Sequence, residues 1–276
     1  WGHSEGKELL AEAGQYRKDI IAAVDRAIDR SRDPWFVPWA LHAPRAEHRY
    51  LNGVCGPINL AFAGVLPRDE ERIRHAMRWN VEHDNGGSLE RSATANMFYS
   101  QDLAVLLLEQ GRVEEFLRMF YCLLGANITH ETLTTCEWQR NTQPHIHSIS
   151  SLVRMFRTMM VQERDGGLYL LQGIPRRWLE PGQRLRINDA PTWYGPLSLN
   201  CAATEGKVVI ELKLPPRLGS VLAHLKLRLP TGMGAAEVKV DGKPAESREE
   251  WIVLRDVGTT VRVEASTSEV RIPKTD

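Results

Sequence analysis

No apolar run in this sequence approaches the roughly 18 residues of a membrane-spanning helix. Neither sign of charge dominates. Lys and Arg total 35 against 35 Asp and Glu, a formal net charge of +0 at pH 7, so the chain lacks the electrostatic footprint of a nucleic-acid or anionic-membrane partner. Cysteine is sparse: Cys55, Cys122, Cys136 and Cys201 are widely spaced and form no CxxC, which excludes a zinc ribbon and argues against a disulfide framework. Glycine-rich phosphate loops, a serine nucleophile elbow and an HExxH helix are all missing. Six of the nine histidines, at 42, 48, 83, 130, 145 and 147, suggest a metal by number, but they are not at ligand spacing with an acid. Two of them, His145 and His147, would point about 200° apart on one helix. No metal and no cofactor is expected. The chain opens at Trp1, without Met and almost inside a helical pattern, so the expectation is a C-terminal portion whose true N-terminus is missing.

What is present is a soluble-globular composition, 42% hydrophobic and 25% charged over 276 residues, enough for one large domain or two ordinary ones. Tryptophan is over-represented, eight against six Tyr and six Phe, which points either to core packing or to sugar-ring stacking.

The first part reads as helices. Leu9, Leu10, Ala13, Tyr16, Ile20, Ile21, Val24 and Ile28 recur at helical spacing over residues 8–30. Further helices are expected at about 57–63, from 67 or 68 to 82, and at 93–109 and 113–124. An anchor helix is expected to enter at Pro144, with Gln143 or Thr142 as its cap, and to run to about Glu163. On it Ile146, Ile149, Leu152, Val153, Phe156, Met159 and Met160 form an apolar stripe. Loop lengths alternate long and short. Antiparallel helical neighbours would then gather the long loops, 31–56, 83–92 and 125–143, at one end as a working face. Six helices make three hairpins, half of a closed toroid. An open half would leave an apolar edge to be covered by the missing N-terminal region or another subunit.

From Leu168 the period changes to two. Nine short segments separated by Gly, Pro, Asp and Glu read as an antiparallel β-sandwich, with an Asp241–Gly242 hairpin turn. The expected division is a helical part over 1–165 and a β-sandwich over 166–276. Trp178 and Trp193 are expected to clamp the sheet onto the helices.

The densest polar cluster lies before the anchor helix. Glu137 on the working face is a candidate general acid or base. Trp138 beside it can stack on a sugar ring. His145 at a helix N-terminus, where the dipole disfavours a positive ring, can hydrogen-bond a hydroxyl. His147 is a further substrate-binding candidate. The bland alternatives are that Glu137 pairs with Arg140 and that the His145 ring is a cap. Glycosidic hydrolysis needs a second carboxylate, and Glu82, Asp84 and Glu90 are all open candidates, each also readable as a solvated loop charge. Tyr99 and Asp102 lie on an inner helix, where packing and hydrogen bonding is the stronger reading.

The succession EW…PHIHSISSL, GGLYLLQGIPRRWLEPGQRLRI, NDAPTWYGPLSLN, KLRLP and VKVDGK resembles the C-terminal portion of bacterial enzymes of the six-hairpin glycosidase superfamily. That resemblance implies an (α/α)6 toroid followed by a β-sandwich, and a carbohydrate substrate. The activity expected with it is glycoside hydrolysis. From position on the working face rather than from the resemblance, Glu137 would be acid or base, Trp138, Trp35 and Trp39 sugar platforms, and His145 and Arg140 would orient hydroxyls or a uronate carboxylate. The rivals are a uronate polysaccharide lyase using Tyr99 or His145 as base, and a non-catalytic carbohydrate-binding or scaffold protein.

Overall fold

Helices come first and sheets second in the computed structural model of the protein, which describes residues 5–42, 56–82, 97–137 and 142–270, with backbone only at 98 and 99. Chain contacts divide it into two compact units, Trp1–Met155 and Phe156–Asp276.

In the first unit the helices are α1 (Gly6–Ala27), α2 (Pro57–Phe62), α3 (Glu71–Glu82), α4 (Met97–Glu109) and α5 (Val113–Ala126), followed by α6 (Ile146–Met160), within which the division falls. Helices α1, α2, α5 and α6 both start and end within three residues of the expectation; α3 begins later, at Glu71, and α4 ends at Glu109 as expected. Helix α4 is buried along Leu103, Ala104, Val105, Leu106, Leu107 and Leu108, as an inner helix must be, and packs on α5 across the tight link 110–112. Its C-terminal Glu109 is buried and ion-paired with Arg68.

The apolar stripes of α1 and α6 depart from expectation. Leu9, Leu10 and Tyr16 are 62%, 76% and 62% exposed. On α6 the exposed residues are Ile146, Ile149, Val153 and Phe156, while Ser148, Ser151, Met155, Thr158 and Met159 are buried. An amphipathic pattern establishes that a helix has two unlike faces; which one is packed depends on the neighbours.

The anchor helix also stops earlier than expected. Its end carbonyls at Met159 and Met160 accept the N–H groups of Gly173 (2.9 Å) and Leu171 (2.8 Å), which satisfies them from outside the helix. Strand β1 (Val161–Arg164) therefore begins before Asp165 and pairs with β2 (Gly167–Leu170). A 3-10 turn at Arg176–Leu179 leads to β3 (Arg184–Thr192), β4 (Gly195–Thr204), β5 (Lys207–Lys213), β6 (Ala223–Lys226), β7 (Met233–Val240), β8 (Lys243–Pro244), β9 (Trp251–Leu254) and β10 (Thr260–Glu269).

Two sheets result, β1-β2-β6-β9 and β3-β4-β5-β10-β7-β8. The strands alternate as half-buried strands should: Leu197, Leu199, Cys201 and Ala203 of β4 are buried, and so are Val208, Ile210 and Leu212 of β5. Side chains from both sheets share one buried cluster, Leu168 and Leu170 with Ile210 and Val263 among them. The Asp241–Gly242 turn joins β7 to β8 with φ of 49° and 77°, as expected for a two-residue hairpin. One pairing departs from the antiparallel expectation: β2 and β6 run parallel, with Tyr169 opposite His224.

Trp193, expected to be packed, is 73% exposed. Trp178 packs on the β core and meets Phe156 edge-on, centroids 6.3 Å apart.

Candidate functional site

Around Glu137 and His145 the backbone crosses itself. After α5, Ile128 bridges to Thr135, and Thr129 and Thr134 close the intervening turn through a 2.9 Å backbone bond. Cys136 N–H donates to Asn127 O at 2.8 Å. Glu137 N–H donates to Thr142 O (3.2 Å) and His145 N–H to Thr135 O (3.0 Å). The Thr135 hydroxyl returns a bond to His145 O at 3.1 Å. Residues 135–137 and 142–145 are thus laced together at the foot of α6, and the two candidate catalytic residues sit on the two strands of that lacing.

The helix starts at Ile146, not at Pro144, and His145 is its cap. Its Nδ1 accepts the Ser148 N–H at 3.3 Å and lies 2.9 Å from the Ser148 hydroxyl. Ser148 is the third helical residue, whose N–H otherwise has no partner within the helix. An acceptor at Nδ1 puts the ring proton on Nε2. Because His145 stands outside the helix, its ring does not diverge from that of His147. The two meet edge-on with centroids 5.7 Å apart. Sequence inspection missed Thr135 and Ser148 as the residues that position this site; the only signal was the three-residue spacing from His145 to Ser148.

The Glu137 carboxylate is half-buried, and no described residue bonds or pairs with it. Its expected partner Arg140 and the stacking candidate Trp138 lie outside the described residues, as do Asp84 and Glu90. Tyr99 is in α4, with only its backbone described. Asp102 is ion-paired with Arg154 of α6, the packing role expected of it.

Glu82 is the i+4 partner of Arg78, at 2.6 Å. The same guanidinium grips Asp33 with both Nη atoms, at 2.6 and 3.1 Å, and holds its carboxyl below the usual range. The loop 28–42 is pinned to α3 in this way. Trp35 stacks on His75 at 4.2 Å and 3°, donates its backbone N–H to His75 Nδ1 at 2.9 Å, and has the Arg30 guanidinium 5.0 Å from its ring. As a sugar platform it would have to lose one of these contacts. Trp39 is half-buried, and Gly56 passes so close that a Cβ there would lie 2.4 Å from the Trp39 Cα, so only glycine fits. Among the described residues no group of three metal-ligating side chains gathers.

No protein-family model and no curated protein matches this chain. Among solved structures it is similar to an α-L-rhamnosidase from Dictyoglumus thermophilum, with 14% identity, a TM-score of 0.45, and 80% of this chain and 25% of that one covered. It is similar to the GH127 β-L-arabinofuranosidase Ara127N-Se from Geobacillus stearothermophilus T6, at 12% identity and TM-score 0.42, over 80% of this chain and 41% of that one. A third is the Streptomyces avermitilis α-L-rhamnosidase complexed with L-rhamnose, at 13% identity and TM-score 0.45, over 78% and 21%. The chain therefore spans less than half the length of each of these structures.

Proposed function

We propose that this chain is part of a glycoside hydrolase acting on an oligo- or polysaccharide, with Glu137 as the general acid or base and His145 orienting a substrate hydroxyl through Nε2. The single observation that supports this most is the state of Glu137: a half-buried carboxylate that no described residue bonds or pairs with, on a backbone lacing that also holds an imidazole. A carboxylate left this way can gain or lose a proton without breaking a structural ion pair. Trp138, Arg140 and His147 complete the substrate-binding set; Trp39, Trp35, Tyr99, Asp84 and Glu90 belong to the same reading. The helical part is a portion of an (α/α) toroid and the β part a sandwich. The exposed apolar residues of α1 and α6 support further helices, or another subunit, closing the toroid.

The lyase alternative, with Tyr99 or His145 as base, has less support. His145 Nδ1 already accepts the Ser148 N–H, so it is not open to take a substrate proton. Glu137→Gln in the longest chain that folds should abolish release of reducing sugar and spare sugar binding. Unchanged turnover removes Glu137 from the mechanism, and a product with new near-ultraviolet absorbance replaces hydrolysis by elimination.

A further inference from the structure

A tryptophan on a surface turn is ordinary when the turn is loose. The turn that carries Trp193 is not. The Trp193 backbone N–H donates to Glu163 Oε1 at 3.1 Å. That carboxylate is only 5% exposed and is held by Arg157 through two bonds, at 2.9 and 3.0 Å. Arg157 also donates to Pro191 O at 2.7 Å, just before the turn. Across the turn, the Thr192 hydroxyl donates to Gly195 O at 2.6 Å and accepts the Tyr194 N–H at 3.2 Å. From the far side, Arg217 N–H donates to Tyr194 O at 3.1 Å. Gly195, at φ 118°, lies where a Cβ would come within 3.0 Å of Pro216. The β3–β4 hairpin also carries a register shift between Ile187 and Ala190 that re-aims its tip.

All this rigidity presents an indole that is 73% exposed. Preorganisation removes the ordering cost of a ligand contact, and a rigid exposed indole offers a flat apolar surface that stacks on the apolar face of a sugar ring. Polar groups stand on the segments that contact this turn. Arg217 is exposed, and no described residue bonds or pairs with its guanidinium. Pro215 and Pro216, which pack on Gly195, also line a cavity of about 320 Å³ whose wall includes Ser220, Arg255 and Asp256. That is the lower end of the range for small-ligand sites, room for one or two sugar rings.

We propose that Trp193 is the stacking plate of a carbohydrate-binding site on the β unit, taking a pyranose ring of an oligo- or polysaccharide chain. The sugar as ligand class rests on the carbohydrate reading above; the rigid display of the indole does not.

The test is electrophoresis of the full chain through gels containing pectin, arabinan, xylan or laminarin, with Trp193→Ala and Trp193→Phe alongside. At least one polysaccharide should retard the unaltered chain. Trp193→Ala should weaken that retardation about tenfold and Trp193→Phe should keep most of it, all three melting at the same temperature. Equal retardation of Trp193→Ala overturns the proposal, as does the absence of retardation in every gel. A dimer that the alanine variant dissolves also overturns it, since the indole would then be covered by a second copy. Glu137→Gln leaves Trp193 in place, so its turnover judges the active-centre reading separately from this one.

Discussion

The imidazole of His145 reaches forward to Ser148, taking that residue's backbone N–H on Nδ1 at 3.3 Å. A residue chosen for its chemistry thus also starts a helix, and the two roles are separable. Alanine at 145 should lower stability by about 1 kcal/mol, the cost of a lost cap. Asparagine, a good cap without the second ring nitrogen, should restore stability in urea denaturation. If Nε2 serves substrate, His145→Asn will remain as stable as the parent and still lose turnover; full activity in the asparagine variant would leave His145 with the cap alone.

Glu163 is the acceptor on which the Trp193 turn depends. Glu163→Gln leaves Arg157 facing a neutral amide and should cost about 1–3 kcal/mol. That is less than for a fully buried pair, because Arg157 is 36% exposed and water screens part of the lost interaction. Chemical denaturation reads the loss; an unchanged midpoint would mean that the pair contributes nothing net.

Gly195→Ala should destabilise by about 1–3 kcal/mol, since its φ of 118° disfavours any side chain and the added methyl meets Pro216. The same variant should raise the mobility of the Trp193 indole, seen as faster depolarisation of its fluorescence in a background where the other tryptophans are replaced.

His224 supplies a pH dependence. Burial first, then the charges of Arg164 and Arg255, push its imidazole below the ordinary 6.5. On the same sheet face the ring stacks on Tyr169 at 4.6 Å and meets Trp251 edge-on; Arg164 lies over Tyr169 and Lys226 over Trp251. Between the depressed value and 6.5 the unfolded chain binds more protons, so stability rises with pH across that window. The neutral ring's contribution is fully present above 6.5 and is lost as pH falls through the folded value. His224→Phe keeps the stack and removes the titration. Melting temperatures at pH 7.5 and 5 should therefore fall less in the variant than in the parent; equal falls would remove His224 as the sensor.

Much of the secondary structure was legible because its signals are local. The period of 3.6 in Val113–Ala126, the period of 2 in Gly195–Thr204 and the Asp241–Gly242 turn each depend on a few neighbouring residues. The order of a helical part and then a β part follows from those periods. So does the choice of Glu137 and His145, drawn from the clustering of an acid, an indole and two imidazoles in the eleven positions 137–147.

Other features depended on residues far apart in sequence. Whether α6 buries its serine face or its isoleucine face depends on what packs against it, and the hydrophobic period is the same either way. Pro144 stands outside the helix because Thr135 and Ser148 hold His145 in the capping position, a contact spanning ten residues on one side. The parallel pairing of β2 with β6 joins strands more than fifty residues apart. Trp193 and Trp178 look alike in the sequence, yet one packs on the core and the other is held out to solvent. Glu163 and Arg157, thirty residues earlier in the chain, decide that difference by fixing the turn on which Trp193 stands.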